Sequence, residues 1–443
     1  MNQTTRQPDF AGLHHYVHQS GDERSRIHLR IDPDGSGALI INASRILHLN
    51  PMAVLMAYSM LEGDTEKEAL RLIQHNFQVD KKLVREDLGQ FRLRLTELIR
   101  PDGACPIHEM DLEALPPFTS PPHAPYRMDL AITYRCNNDC AHCYNERERS
   151  YPELAAHEWK KILKELWQLG IPHIIFTGGE PTLRNDLPEL ITQAESIGQI
   201  TGLNTNGRRL SNSVYTNLLV ESGLDHVQIT VESSNEIVHD QMVRSSGAFK
   251  QTIQGLKNAL GSKLFVMTNT TMLRSNLSTI PDTLDFLADL GVPTVGLNAL
   301  IHSGAGRKVG NGLEDEELQA ILDVAVKKTE SHGQRLVWYT PTQYCRFDPT
   351  LSNLGVKGCT AALYSMCIES NGDVIPCQST YRSLGNFQTT PWENIWNHPL
   401  SRQLRERHNL PVKCNGCPIV SECGGGCPLK FEIEPASSME SMS

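Results

Sequence analysis

Two patterns of apolar residues occur in turn along this chain. One alternates apolar and polar positions, as strands do, and the other has the spacing of amphipathic helices. Residues 24–100 begin with the strand-like alternation RIHLRI, turn at DPDGSG, and continue into ALIINASRILHLN. Helical patterns follow, and REDLGQFRLRLTELI places apolar residues at positions 88, 91, 95 and 98 along one face. Strands followed by helices predict a small α+β, winged-helix-like domain within residues 1–100. The histidine-rich stretch GLHHYVHQ near its start is interpreted as a solvated tail.

The next segment shows neither the strand-like nor the helical pattern. Residues 101–125 contain seven prolines, so we interpret them as an extended, semi-rigid linker. Cys105 lies in this linker and is interpreted as incidental.

From residue 126 to about 335, short apolar runs alternate with helical patterns. MDLAITY, HIIFTGGE, ITGLNTNG and HVQITVES read as strands, each separated from the next by a helix. Repeated strand–helix alternation predicts a parallel sheet with crossover helices. About six such units fit the zone, which is compatible with a partial (β/α)6-type barrel or with an open sheet. Residues 336–443 are loop-rich and cysteine-rich, and form a third predicted domain.

Composition narrows the class of protein. Hydrophobic residues make up 39% and charged residues 21% of 443, so the chain can form a packed core. A net charge of −10 argues against binding nucleic acid, and neither a membrane helix nor a secretory signal is visible. We therefore expect a cytoplasmic protein. Twelve cysteines in a reducing compartment indicate metal binding rather than disulfides.

The first cysteine cluster is CNNDCAHC, with thiols at Cys136, Cys140 and Cys143. A zinc site needs four ligands, and His142 would strain the loop as the fourth. A [4Fe–4S] cluster held by three thiolates instead leaves one iron open to a ligand that reacts. The triplet directly follows the strand MDLAITY, so it lies at the carboxyl end of the sheet, where α/β folds place their chemistry.

With these features, CNNDCAHC resembles the signature of the radical S-adenosylmethionine (SAM) enzymes. TGGEP resembles their loop for the methionine amino group, NTNG their segment near the ribose, and QITVES their strand beside the ribose and carboxylate. Thr230 and Glu232 stand where the family often has serine and aspartate, and His142 where an aromatic residue is more frequent. The resemblance implies that the following residues contact SAM: Gly178, Gly179, Glu180, Asn204, Asn206, Thr230 and Glu232. We predict Arg244 as an eighth contact, because its guanidinium can pair with a carboxylate.

The resemblance also implies a reaction. The reduced cluster passes one electron to the sulfonium of bound SAM, which yields methionine and a 5′-deoxyadenosyl radical. That radical abstracts hydrogen from an unactivated C–H bond of the substrate. The protein positions the substrate carbon and excludes water and oxygen. A one-electron donor such as flavodoxin or ferredoxin is implied as a partner.

A second cysteine field follows in the C-terminal zone. CNGCPIVSECGGGC alone would also suit a zinc ribbon. Together with Cys359 and the Gly372-x4-Cys377 spacing it resembles the SPASM extension, which carries one or two auxiliary iron–sulfur clusters. No cysteine follows Cys427 in this sequence, whereas Cys345 and Cys367 are additional.

By this analogy, one auxiliary cluster uses Cys359, Cys377 and Cys427 together with Cys345 or Cys367. The other uses three cysteines and a fourth ligand that the sequence leaves undecided, with Glu432, Glu434 or substrate as alternatives. Its three cysteines are Cys414, Cys417 and Cys423.

The N-terminal zone resembles the peptide-binding domain typified by the chaperone of pyrroloquinoline quinone biosynthesis. Such domains bind the leader of a precursor peptide, which adds as a strand to an exposed sheet edge. A DNA-binding winged helix and a purely structural cap are the alternatives, and the acidic chain disfavours the first.

The sequence thus predicts a radical SAM maturase that crosslinks, oxidises or epimerises a ribosomally made precursor peptide. Auxiliary clusters favour net oxidation, whereas epimerisation would need a hydrogen donor, for which Cys345 or Cys367 is available if it is not a ligand. Radical chemistry on a small molecule such as a tetrapyrrole is a second hypothesis, and an exposed sheet edge would favour the peptide. A non-catalytic iron–sulfur or zinc sensor is a third.

Overall fold

A computed structural model of the protein describes residues 10–20, 23–43, 45–99, 122–408 and 410–431. The chain divides into two compact units. The first contains residues 1–123 with 164–172 and 198–200, and the second contains the rest. The linker prediction for 101–125 falls largely on positions outside the described residues, as do Cys105, Glu432 and Glu434.

The first unit carries an antiparallel sheet of four described strands in the order β1-β2-β3-β4, followed by three helices. The strands are β1 (Gly12–Ser20), β2 (Glu23–Ile31), β3 (Gly37–Ile41) and β4 (Arg45–Leu49). The helices are α1 (Pro51–Leu61), α2 (Glu66–Asn76) and α3 (Lys81–Ile99). The α+β prediction is confirmed, but the predicted solvated tail is wrong, because GLHHYVHQ forms most of β1 and pairs with β2 along its length.

Local sequence explains where the elements of this unit begin. Gly35 adopts φ +86° in the turn between β2 and β3, a conformation that suits glycine. Asn50 caps α1 by accepting a hydrogen bond from the Ala53 N–H at 2.9 Å, and Pro51 occupies the first helical turn. Thr65 and Glu68 form a capping box at the start of α2. The alternating residues of β2 and β3 pack against α1 and α3, with Leu29 and Leu39 fully buried.

The second unit is built on a large sheet with the order β11-β10-β9-β8-β7-β6-β5-β12-β13-β14 among the described strands. The strands that precede the cysteine-rich zone are β5 (Arg127–Thr133), β6 (His173–Gly178), β7 (Ile200–Thr205), β8 (His226–Thr230), β9 (Phe265–Thr271), β10 (Thr294–Asn298) and β11 (Arg335–Trp338). The helices between them are α4 (Ala156–Gln168), α5 (Leu187–Ser196), α6 (Ser213–Glu221), α7 (Glu236–Val243), α8 (Ala248–Leu260), α9 (Ile280–Asp289) and α10 (Asp315–Ser331).

The strand–helix alternation confirms the predicted partial barrel. β11 and β14 form the two edges of the described sheet, so the barrel is not closed. The strands from β5 to β11 have strongly apolar cores, as expected for a sheet covered by helices.

The same sheet continues into the C-terminal zone. β12 (Ser365–Ile368) pairs in parallel with β5, and β13 (Asp373–Ile375) and β14 (Gly385–Asn386) add antiparallel strands. The remaining helices are short: α11 (Trp392–Trp396), α12 (Pro399–Arg405), α13 (Val420–Cys423) and α14 (Pro428–Phe431). None of the helices among the described residues has the length and apolar character needed to cross a bilayer.

Candidate active site

The cysteine loop, residues 136–143, leaves the carboxyl end of β5 and is held by backbone contacts. The N–H groups of Asp139 and Ala141 donate to the carbonyls of Val243 and Met242 at 3.0 and 2.9 Å. The Arg149 guanidinium donates to the Cys136 carbonyl at 2.8 Å. Elements far apart in sequence therefore fix the path of this loop.

The three thiols of the loop are close neighbours. Burial raises the pKa of Cys140 well above its usual value, and the charges of Cys143, Glu232 and Cys136 raise it further. Among the described residues, no three His, Cys, Asp or Glu side chains converge on the position of a single metal ion. A four-iron cluster does not require its ligands to converge on one point, because each thiolate binds a different iron atom. The loop therefore fits a cluster with one iron left open.

Gly178 and Gly179 bring the end of β6 against the chain that leads into the cysteine loop. The Gly179 N–H donates to the Thr133 carbonyl at 2.8 Å. A Cβ on Gly179 would lie 2.6 Å from the Tyr134 carbonyl oxygen and closer still to that of Arg135. Both glycines thus allow two backbones of the protein itself to meet.

Glu180 is buried, and its carboxylate accepts four hydrogen bonds from the protein. Oε1 accepts from the Thr182 N–H at 3.1 Å, from the Thr182 hydroxyl at 2.6 Å and from the Thr205 hydroxyl at 2.7 Å. Oε2 accepts from the Asn206 N–H at 2.8 Å. The predicted acceptor for the SAM ammonium therefore joins the loops after β6 and β7.

The loop after β7 also holds the cysteine loop. The Asn206 side chain donates to the Asn137 side chain at 2.7 Å. Arg208 donates to the Asn137 carbonyl, to the Asn138 side chain at 2.7 Å and to the Ser245 hydroxyl at 2.9 Å. Asn204, within β7, is half-buried.

The predicted residues after β8 lie in different environments. Glu232 is fully buried; its Oε1 lies 2.8 Å from His142 Nε2, and its Oε2 accepts from the Thr271 N–H at 2.9 Å. Burial lowers the pKa of His142, but the carboxylate of Glu232 outweighs that and holds this pKa above its usual value. Thr230 is half-buried at the end of β8, and Arg244 is exposed with φ +49° just after α7.

Five of the eight predicted SAM contacts separate into two sets by their burial. Glu180 and Glu232 are buried and engaged by the protein, so they position loops. Asn204, Thr230 and Arg244 keep exposed surface, and their chemistry suits a ribose hydroxyl or a carboxylate.

Three residues that hold the cysteine loop were missed from the sequence. Arg208 directly follows NTNG, and its positive charge close to the end of a predicted strand could have marked it as a candidate site residue. Arg149 and Gly304 gave no local signal. A Cβ on Gly304, which has φ +55°, would lie 2.7 Å from the Cys143 carbonyl oxygen.

A polar network joins residues that flank the cysteine loop to the segments that follow β12 and β13. Glu369 is fully buried and accepts two hydrogen bonds from the Arg147 guanidinium, at 2.6 and 2.9 Å, and one from the Tyr134 hydroxyl at 3.0 Å. The Tyr144 hydroxyl donates at 3.0 Å to Gln378, the residue after Cys377. The first and second cysteine fields are therefore connected by direct contacts.

Cys359, Cys377 and Cys427 form one group in the second field. Burial raises the pKa of Cys427 to about 12, and the charges of Cys359 and Cys377 contribute to the increase. Burial and Cys377 likewise raise the pKa of Cys359 to about 11. The sequence predicted these three thiols as ligands of one auxiliary cluster.

Cys414, Cys417 and Cys423 form a second group in a compact turn. The Cys417 N–H donates to the Cys414 carbonyl at 3.2 Å, and the Cys423 N–H to the Ile419 carbonyl at 2.9 Å. Arg407 lies between the two groups: burial lowers its pKa, whereas the charges of Cys359 and Cys423 raise it.

The two additional cysteines lie apart from each other. Cys345 is exposed and directly follows Tyr344, whose N–H donates to Cys423 Sγ at 3.3 Å. Cys367 is fully buried in β12, where it packs with Ala131, Tyr134 and Ile375.

Comparison with known proteins identifies the family. The radical SAM superfamily profile matches residues 130–298, and the SPASM iron–sulfur cluster-binding domain matches residues 359–418. The Fe-coproporphyrin III synthase of Methanosarcina barkeri is 32% identical over 68% of this chain and 82% of that protein. The PqqA peptide cyclase of Bradyrhizobium diazoefficiens is 29% identical over 68% of this chain and 81% of that protein.

A solved structure resembles the fold over nearly its whole length. The crystal structure of Streptococcus suis SuiB bound to its precursor peptide SuiA has a TM-score of 0.69 at 14% identity. The match covers 92% of this chain and 95% of that one.

The chain belongs to the radical SAM superfamily and is a radical SAM enzyme. The superfamily implies a [4Fe–4S] cluster that binds SAM, and the SPASM domain implies auxiliary iron–sulfur clusters. This membership argues against the non-catalytic sensor hypothesis.

Proposed function

We propose that this enzyme modifies a ribosomally synthesised precursor peptide, whose leader binds to the first unit. The observation that carries the proposal is an edge strand, β4, that leads into a groove in that unit. β4 is an edge of the four-stranded sheet among the described residues, and β-augmentation adds a peptide strand at a sheet edge.

The groove begins where β4 ends. It has a volume of about 470 Å³ and is lined from α1 by Met52 and Met56, from α2's carboxyl end by Phe77, and from α3 by Gln90 and Phe91. Asp87 and Arg94 of α3 add one charge of each sign to its wall. Apolar floors with a few polar groups suit alternate side chains of an extended peptide.

Similar proteins support a peptide substrate. SuiB was crystallised with a precursor peptide. Its match covers 92% of this chain and therefore includes most of the first unit. One sequence relative is named a PqqA peptide cyclase and another a mycofactocin maturase. Modification of a tetrapyrrole is the second candidate, favoured by the 32% identity to the Fe-coproporphyrin III synthase.

Bound SAM and its reduced cluster would supply the radical that abstracts hydrogen from the substrate. The protein contributes the position of the reacting groups. Cys136, Cys140 and Cys143 hold the cluster, Glu180 ties together the loops after β6 and β7, and Arg208 anchors the cysteine loop to them. The product is a crosslinked, oxidised or epimerised peptide, and a flavodoxin or ferredoxin delivers the electron.

A selection for binding peptides tests the proposal. A displayed library of random linear peptides is selected against the reconstituted full-length protein under anaerobic conditions. Selected peptides are expected to lose about tenfold in affinity for a Gln90→Trp variant, because the indole fills the groove. Gln74→Trp is the matched control, since Gln74 is an exposed residue of α2 that does not line the groove.

The tetrapyrrole hypothesis is tested in the same preparation. The enzyme is reduced with dithionite, and 5′-deoxyadenosine is measured with SAM alone and with Fe-coproporphyrin III. Faster deoxyadenosine formation with a change in mass of the tetrapyrrole, and no peptide retained by the library selection, would overturn the peptide proposal.

A further inference from the structure

Cys345 lies beside the second group of C-terminal cysteines, although the sequence suggested it as a ligand for the first. The residue before it, Tyr344, donates its N–H to Cys423 Sγ at 3.3 Å. Cys423 Sγ also lies 3.7 Å from the Thr342 carbonyl oxygen. Two atoms of the 342–344 backbone therefore surround one thiol of this group.

The segment is locked in this position by packing. The Gln343 side chain donates to the Gly425 carbonyl at 3.3 Å. A Cβ on Gly426 would lie within 3.2 to 3.3 Å of Gln343, so the two backbones are in close contact. Thr342, Gln343 and Tyr344 are buried, while Cys345 emerges from this packing with exposed surface.

Cys423 belongs to the same turn as the other two cysteines of the group. Cys414, Cys417 and Cys423 share one compact turn closed by backbone hydrogen bonds. Cys345 directly follows Tyr344, whose N–H contacts Cys423 Sγ, so the backbone of Cys345 adjoins this turn.

We propose that Cys345 is the fourth thiolate ligand of the second auxiliary cluster, together with Cys414, Cys417 and Cys423. The ligand thus comes from the amino-terminal side of the SPASM segment, which was matched from residue 359 onwards. Cys345 gives up its proton as it binds, as any thiol ligand does. This assignment does not depend on the identity of the substrate.

Cys367 is a poorer ligand for this cluster. Its Sγ lies 3.7 Å from the Ile368 carbonyl oxygen, within a cluster of apolar and aromatic residues around β5, β12 and β13. Moving it towards the 411–427 loop would require β12 to leave its register with β5, in which Cys367 lies opposite Asp129.

Differential alkylation of the reconstituted protein tests the assignment without measuring activity. An exposed free thiol reacts with iodoacetamide, whereas a thiolate bound to iron is protected. Cys345 is expected to be protected in the wild-type protein and in Cys377→Ser, which damages the first auxiliary cluster. Its protection is expected to be lost in Cys417→Ser, which damages the second.

Internal controls come from the same peptide maps. Cys136, Cys140 and Cys143 should stay protected in both variants, which shows that the rest of the second unit is folded. Cys359 should lose protection only in Cys377→Ser. Alkylation of Cys345 in the reconstituted wild-type protein, or its loss of protection in Cys377→Ser but not in Cys417→Ser, would overturn the proposal.

A second variant gives an independent readout. Cys345→Ser removes one ligand from a four-thiolate cluster, and a three-thiolate cluster readily releases its unprotected iron on mild oxidation. We expect the EPR signal of an oxidised three-iron cluster to increase in Cys345→Ser and not in Cys367→Ser. Identical EPR spectra for Cys345→Ser and the wild-type protein would count against the assignment.

Discussion

Gly179 makes the junction between β6 and the cysteine loop possible, because its hydrogen atom occupies a place where a methyl group would collide with two carbonyl oxygens. In a Gly179→Ala variant the cysteine loop must move. We expect the first cluster to be lost while the auxiliary clusters persist, so that iron falls from about twelve to about eight atoms per chain. Formation of 5′-deoxyadenosine from SAM should be abolished.

Gly261→Ala is the matched control for this substitution. A Cβ at Gly261 would meet its nearest neighbour at 3.5 Å, an ordinary contact, and its φ is −77°. This variant should keep its full iron content and its deoxyadenosine formation. Full iron and normal turnover in Gly179→Ala would show that the loop tolerates displacement.

Glu180 provides a second residue-scale prediction, since all four of its hydrogen-bond donors face a carboxylate. Glu180→Gln would direct an amide N–H₂ towards N–H or hydroxyl donors and leave at least one buried group without an acceptor. We expect the free energy of unfolding to fall by about 1–3 kcal/mol, measured by anaerobic urea denaturation of the reconstituted protein.

The corresponding control is Glu221→Gln, on the exposed surface of α6. It should change the free energy of unfolding by less than about 0.5 kcal/mol. Equal unfolding midpoints for the two variants would mean that the buried carboxylate is not needed to hold the loops.

The residues that carry chemistry were more predictable than those that position them. Three thiols in eight residues after an apolar strand are visible in one stretch of sequence, and so is the glycine pair after β6. Arg208 acts through Asn138, 70 positions away, and Gly304 through the carbonyl of Cys143. No local pattern encodes such contacts, because they exist only after the strand ends have assembled.

At the scale of elements, β12 joins the C-terminal zone to the main sheet, although its cysteine pattern indicated a separate domain. It pairs in parallel with β5, although more than 200 residues separate Asp129 from Cys367. Such pairing requires a long crossover and leaves no signature in a four-residue strand. β1 was missed for a similar reason. Its histidines obscured the alternation of apolar and polar residues, and it is ordered as a strand through its pairing with β2.

Cys367 in β12 gives a prediction that separates a core thiol from a ligand. Cys367→Ala should retain the full iron content and the wild-type EPR spectrum, because the side chain packs against Ala131, Tyr134 and Ile375. Loss of the buried sulfur leaves a small cavity, so the free energy of unfolding should decrease by roughly 1 kcal/mol. Cys377→Ala is the comparison, and it should lose iron; a similar loss in Cys367→Ala would make Cys367 a ligand.

At the scale of the whole molecule, the two ends of the chain differ in how they obtain stability. Residues 27–41 form strands whose apolar side chains are fully buried, such as Leu29 and Leu39. Among the described residues 410–431, Cys423 and Leu429 are the buried hydrophobic side chains, while Val412 is 83% exposed. A segment with so little apolar burial depends on other interactions, and bound metal is the available source.

Removal of iron should therefore affect the two segments differently. After anaerobic chelation of the clusters, we expect amide hydrogen exchange to increase in residues 411–427, because the thiols lose the ligand that joins them. Residues 27–41 should exchange as slowly as before, since hydrophobic contacts hold that sheet. Exchange is measured by mass spectrometry on holo and chelated protein under the same buffer. Unchanged protection of 411–427 without iron would mean that the contacts of Arg407, Gln343 and Tyr344 with this loop suffice to order it.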